Sequence, residues 1–99
     1  MIDLDFFIAR ITDFGKLEHN WDNSDSLVIT DLSIKNAITL IPKLIENYDI
    51  YDIEVYPSAD SGILFEIGGY LEVKVLDRLV AYIHFDEGFL IEKTTNYEI

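Results

Sequence analysis

His19 and His84 are the only side chains in the sequence whose ordinary pKa lies near neutrality. His84-x-Asp86-Glu87 places two potential metal ligands two residues apart, on one face of a strand. A zinc ion needs three or four converging ligands, and neither a cysteine nor a second histidine-rich motif completes this set. The plain expectation is a solvent-facing histidine at a strand end. A His–Asp pair could also activate a nucleophile, but no serine in a glycine-flanked elbow accompanies it. Asp60-Ser61-Gly62, within Pro57–Gly62, carries the chemistry of a turn. Glu54, Glu66 and Glu72 should be close neighbours on one sheet face. Paired carboxylates can hydrolyse glycosides, but that chemistry needs a cleft, and a small two-layer domain offers little concavity. The expectation is therefore a chain that is not an enzyme, with no catalytic residue, cofactor or metal.

Binding chemistry fits better. Trp21 with Asp22 is a candidate partner anchor, because tryptophan is enriched at interface hot spots. The plainer alternative is an apolar plug beside a turn cap. Seven Lys and Arg against nineteen Asp and Glu give a formal charge of −12. That balance disfavours direct binding to nucleic acid or an anionic membrane. It suits a protein that occupies a basic groove built for phosphates, with long-range attraction speeding the encounter.

These residues need a scaffold. A chain of 99 residues makes one domain, residues 1–99, and buries roughly 65% of its unfolded surface on folding. The 49% hydrophobic content excludes general disorder, and the absence of cysteine excludes a disulfide framework. No apolar run is long enough to cross a membrane. The first ten residues carry two aspartates before the first basic residue, unlike a signal peptide. The expected location is the cytoplasm.

The apolar period divides the chain near Asp49 into a helical part (1–48), a β-meander (50–93) and a tail (94–99). Leu4, Phe7, Ile8, Ile11, Phe14 and Leu17 form one stripe, predicting a helix from about Asp3 to His19 with Asp3 as cap and Gly15 as a weak point. Asn20–Ser26 reads as a loop. A second helix starts at Thr30 or Asp31 and buries Ile34, Ala37, Ile38, Ile41, Leu44, Ile45 and Tyr48, with a kink or break at Pro42. Strands are predicted at Asp52–Tyr56, Ile63–Ile67, Tyr70–Leu76, Leu79–Phe85 and Phe89–Lys93, with Gly68-Gly69 as a two-residue turn. The short connections predict an antiparallel meander of four to five strands, and both helices cover one of its faces in an α+β fold. Alternation puts Ile53, Val55, Ile63, Phe65, Ile67, Leu71, Val73, Val75, Leu79, Ala81, Ile83 and Phe85 on the core face. The opposite face holds Glu54, Tyr56, Leu64, Glu66, Tyr70, Glu72, Lys74, Tyr82, His84 and Glu92.

Asn20-Trp21-Asp22 after a helix, a second helix with Ile34, Ala37 and Leu40, then Pro57, Asp60, Gly62-Ile63, Phe65-Glu66 and Leu71-Val73-Val75 form an ordered pattern. From Ile11 to Phe85 it resembles a family of small, largely uncharacterised bacterial and phage proteins. Their pattern is NWDxxGA, an IS-headed helix, PxxDGGIxxEW and LxIxI. The chain departs from it at Asn23–Ser26, at Ser61 for the first glycine of the pair, and at Ile67 for the tryptophan. The resemblance implies an α+β fold and a bacterial cell as the setting, and it carries no assigned activity. Such proteins are often found beside toxin–antitoxin or phage-defence functions.

Together these readings predict a small acidic, non-enzymatic binding protein that neutralises a nucleic-acid-acting partner, in the manner of an antitoxin or a phage anti-defence (anti-CRISPR-like) inhibitor. The expected partner is a basic protein, and an assembly of identical copies is compatible with the sequence. The candidate contact residues are Trp21, Asp22, Glu54, Tyr56, Glu66, Tyr70, Glu72 and Tyr82. The alternative is a small-ligand or signal-binding module using Trp21 and the aromatic sheet face, with a small enzyme using His84 and Asp86 less favoured.

Overall fold

Asp3 starts the first helix as the sequence predicts, its carboxylate accepting the Phe6 N–H at 2.9 Å. The computed structural model describes residues 2–18, 21, 27–77, 80–86 and 89–96, the last two segments as backbone alone. Helix α1 spans Leu4–Phe14 and buries Phe7, Ile11 and Phe14, spaced four and three apart. It stops well short of His19. The next residue, Gly15, is right-handed (φ −66°), so its small size matters rather than its conformational freedom. A Cβ there would lie 2.8 Å from Ile34 Cδ1, so the glycine lets the second helix lie close against the end of the first.

Helix α2 spans Asp31–Asn47. Thr30 caps it by accepting the Ser33 N–H at 3.2 Å. Pro42 does not break it. The proline is exposed, so solvent can reach the carbonyl of Ile38 that loses its donor. The buried side is broader than the predicted stripe: Ala37, Ile41 and Leu44 are buried as expected, and Leu40 and Ser33 join them. Ile34, Ile38, Ile45 and Tyr48 pack at its margin.

A single 3₁₀ turn, Ile50–Asp52, capped by the Asp49 side chain, leads into the sheet. Strands β1 (Ile53–Pro57), β2 (Ile63–Ile67) and β3 (Leu71–Val75) pair antiparallel in chain order. The register sets Val55 opposite Phe65, and Phe65 opposite Val73. Every second residue is buried, so Ile53, Val55, Ile63, Phe65, Ile67, Leu71, Val73 and Val75 form the core face as alternation predicts. These side chains, those of α1 and α2, and Ile29 form one hydrophobic core. The fold is α+β, two helices with a three-stranded antiparallel sheet. Leu79, Ala81, Ile83 and Phe85, also expected on the core face, have side chains outside the described residues.

The β2–β3 connection corrects one boundary. Tyr70 lies in the turn rather than in the strand, and its N–H donates to Ile67 O at 3.2 Å. Gly68 and Gly69 are the central residues of that turn. Both have positive φ (60° and 77°), which glycine adopts without strain. The loop is thus three residues long, not two.

Candidate functional site

On the sheet face opposite the core, the register builds two rows perpendicular to the strands. Glu54, Glu66 and Glu72 oppose one another directly across β1, β2 and β3. Tyr56, Leu64 and Lys74 form the neighbouring row. Cβ atoms of directly opposed residues stand about 5 Å apart, so three carboxylates share a narrow band. Glu54 is exposed, and Glu66 and Glu72 are half-buried. Like charges directly opposite one another destabilise a sheet, so the row costs stability unless a cation meets it.

Tyr56 and Glu54, two apart on β1, point the same way, and the Tyr56 hydroxyl donates to the Glu54 carboxylate. That bond favours the neutral phenol, and it is the main reason the Tyr56 pKa lies above its ordinary value. Tyr56 and Tyr70 are both exposed, so aromatic surface borders the acids.

Lys74 closes the other end of its row. Its Nζ donates to Ser58 Oγ at 2.8 Å and to Asp60 Oδ2 at 2.9 Å, tying the β1–β2 hairpin loop to β3. Partial burial of Asp60 pushes its pKa up. The hydrogen bonds from Lys74, Ser58 and the Gly62 N–H and the charge of Lys74 outweigh this, so the carboxyl sits below its ordinary value. In this loop Ser61 takes a left-handed conformation (φ 78°), and Asp60 bonds the Gly62 N–H at 3.4 Å, consistent with the turn chemistry read from the sequence.

A second polar cluster joins β3 to α2. The Asp77 carboxylate accepts from Thr30 and from Ser33 Oγ (3.2 Å), and Asn36 Nδ2 donates to the carbonyls of Leu76 (3.3 Å) and Asp77 (2.7 Å). Ser33 is completely buried, and its hydroxyl finds its acceptor there. Nothing in the local sequence signals this cluster, because its two halves, Thr30 to Asn36 and Leu76-Asp77, lie forty or more residues apart. Beside Glu54 and Tyr56 on β1, Arg10 lies over the Phe14 ring and donates from Nε to Val55 O at 3.2 Å.

Of the predicted contact residues, the structure brings Glu54, Tyr56, Glu66 and Glu72 together on one face and puts Tyr70 in the turn at its end. Trp21 is half-buried, and its indole N–H donates to Leu27 O at 3.0 Å. Asp22 and the side chain of Tyr82 lie outside the described residues, as do His19 and the side chains of His84 and Asp86. Glu87 lies outside them as well. Among the described residues, no group of three or more metal-ligating side chains converges, and no helix is long and apolar enough to cross a membrane. The depressions on the described surface are open ones, such as that lined by Tyr51, Asp52, Glu54, Glu66 and Gly68-Gly69. No family model, curated protein or solved structure matches this chain.

Proposed function

We propose that this protein is a non-enzymatic inhibitor that covers a basic, nucleic-acid-binding surface of another protein. The carrying observation is the row Glu54–Glu66–Glu72 on the outer sheet face, bordered by the exposed rings of Tyr56 and Tyr70. Three facing carboxylates cost stability in the free protein, and a cationic surface relieves that cost on binding. The formal charge of −12 extends the attraction beyond the contact and keeps the domain away from nucleic acid and anionic membrane. Aromatic rings supply the short-range contact. The setting is the cytoplasm of a bacterial cell and the role that of an antitoxin or anti-defence protein, in keeping with the NWD-pattern resemblance.

The proposal includes a longer sheet. A fourth strand, β4 (Val80–Asp86), and a fifth, β5 (Phe89–Asn96), extend the antiparallel order of β1 to β3, and β5 takes in part of the segment read as a tail. The backbone register supporting this sets Val73 opposite Tyr82 and Lys74 opposite Ala81. It lies one residue away from the register that alternation in Leu79–Phe85 predicts.

The test is co-purification from the host cell followed by a salt titration. A basic nucleic-acid-binding protein should be retained at about 50 mM salt and released near 500 mM. A folded Glu54→Lys, Glu66→Lys, Glu72→Lys variant should retain none, and the bound partner should lose its grip on nucleic acid. A small molecule in place of a protein, or equal retention by the triple variant, refutes the proposal.

A further inference from the structure

The free side of β1 carries an inference independent of the acidic face. β1 pairs with β2 on one side and forms an edge of the sheet on the other. Gly68 N donates to Asp52 O at 3.0 Å and Ser58 N to Gly62 O at 2.9 Å, so every second residue between them, Glu54 and Tyr56, bonds toward β2. The backbone groups of Ile53, Val55 and Pro57 therefore face outward. Such an edge is a template for a strand from another chain.

Here the edge is disarmed position by position. The Ile53 N–H is turned back to Ile50 O within the 3₁₀ turn. Pro57 has no N–H to offer. The Val55 carbonyl accepts from Arg10 Nε at 3.2 Å, and the Arg10 guanidinium is steadied 5.7 Å from the centre of the Phe14 ring. If two copies met by two-fold symmetry at Val55, each Val55 N–H would donate to the Val55 carbonyl of the other, from the side on which the Arg10 guanidinium already stands and competes for that oxygen. We infer that Arg10 is an edge guard: with Pro57, it keeps a second copy of this chain from adding its own β1 to the sheet.

The chain has no cysteine, so one label can be placed at will. A Glu54→Cys protein carrying pyrene reports β1–β1 contact by excimer emission, and hydrogen exchange at the Val55 amide reports pairing without a label. With Arg10 in place, excimer emission should be absent from about 10 μM to about 1 mM, and Val55 exchange should not depend on concentration. R10A and R10A/P57T should show excimer emission that grows with concentration, with an association constant raised about tenfold by the freed acceptor, and Val55 exchange should slow in step. Should the double variant fail to fold by circular dichroism, R10M, which keeps the apolar stem over Phe14, gives the same reading. Concentration-dependent pairing at Val55 with Arg10 present overturns the inference. So does a folded R10A or R10M protein that shows no excimer over the whole range.

Discussion

Glu66 faces a carboxylate on each side, Glu54 on β1 and Glu72 on β3. Replacing it with glutamine keeps its shape and removes both repulsions. At roughly 0.2–1 kcal/mol for each facing pair, the gain is about 0.4–2 kcal/mol. Domains of this size shift by about 4–8 °C per kcal/mol, so Glu66→Gln should melt several degrees higher than the wild type. Thermal unfolding by circular dichroism at about 10 mM and about 1 M salt is the assay, because the screening length falls from about 30 Å to about 3 Å between them. The gain should shrink to less than half at high salt. Glu72→Gln, which removes one of these two facing pairs, should give about half the effect, and the double variant should fall short of the sum. A melting point unchanged or lowered at low salt, or a gain indifferent to salt, would refute the view that the row is kept against the interest of stability. An acid row that stabilises the free protein needs no partner to explain it.

Phe65, completely buried at the centre of the three-stranded sheet, should cost about 3–5 kcal/mol when changed to alanine, read as a lower denaturant midpoint with unchanged slope. Gly62→Ala should destabilise by about 1–3 kcal/mol through overpacking, because its Cβ would lie 2.5 Å from the backbone oxygen of Val75. Gly15→Ala is the milder case: its nearest contact is the end of the Ile34 side chain, which can turn aside, and the Thr12 carbonyl stands at 3.3 Å, so its melting point should fall less than that of Gly62→Ala. The lowered Asp60 pKa gives a signed acid response: its contribution is fully present above the ordinary carboxylate value of 3.8 and fades as pH falls through the lower native value. Asp60→Asn should therefore lose least, relative to wild type, in acid; a stability gap that widens below pH 4 would contradict the Lys74–Asp60 pairing. The pair is half-exposed, so the whole effect should stay within about 1 kcal/mol.

What the sequence revealed, and what it hid, follows from the range of each interaction. Asp3 and Thr30 act within one helical turn, and both are legible as caps. Alternation is also local, and Ile63–Ile67 matches its predicted strand residue for residue. The Glu54, Glu66 and Glu72 row was legible because short loops leave few ways to register three strands. Leu40 was missed because the core reaches around α2 further than one stripe, a property of what packs against the helix and not of the helix itself. Pro42 lies inside α2 without ending it, because it sits on the exposed side of the helix, where water can meet the carbonyl left without a donor. Tyr70 carries strand-like residues behind it, but the double glycine sets the turn. The Lys74 staple, the Arg10 contact and the Asp77 cluster bring together residues 14 to 47 apart in the chain. No periodicity encodes such meetings.

The Asp77 cluster also holds a strand end in place. A chain leaving a strand after a short hairpin is free to swing about its last backbone bond. Here the carbonyls of Leu76 and Asp77 are gripped by Asn36, and the Asp77 carboxylate sits on Thr30 and Ser33 at the favourable, positive end of α2. The end of β3, at Leu76 and Asp77, is therefore held by a helix whose first turn lies more than forty residues earlier. The same grip works in reverse, since the first turn of α2 cannot fray without releasing the exit of β3. One clasp thus joins the start of the second helix to the end of the third strand.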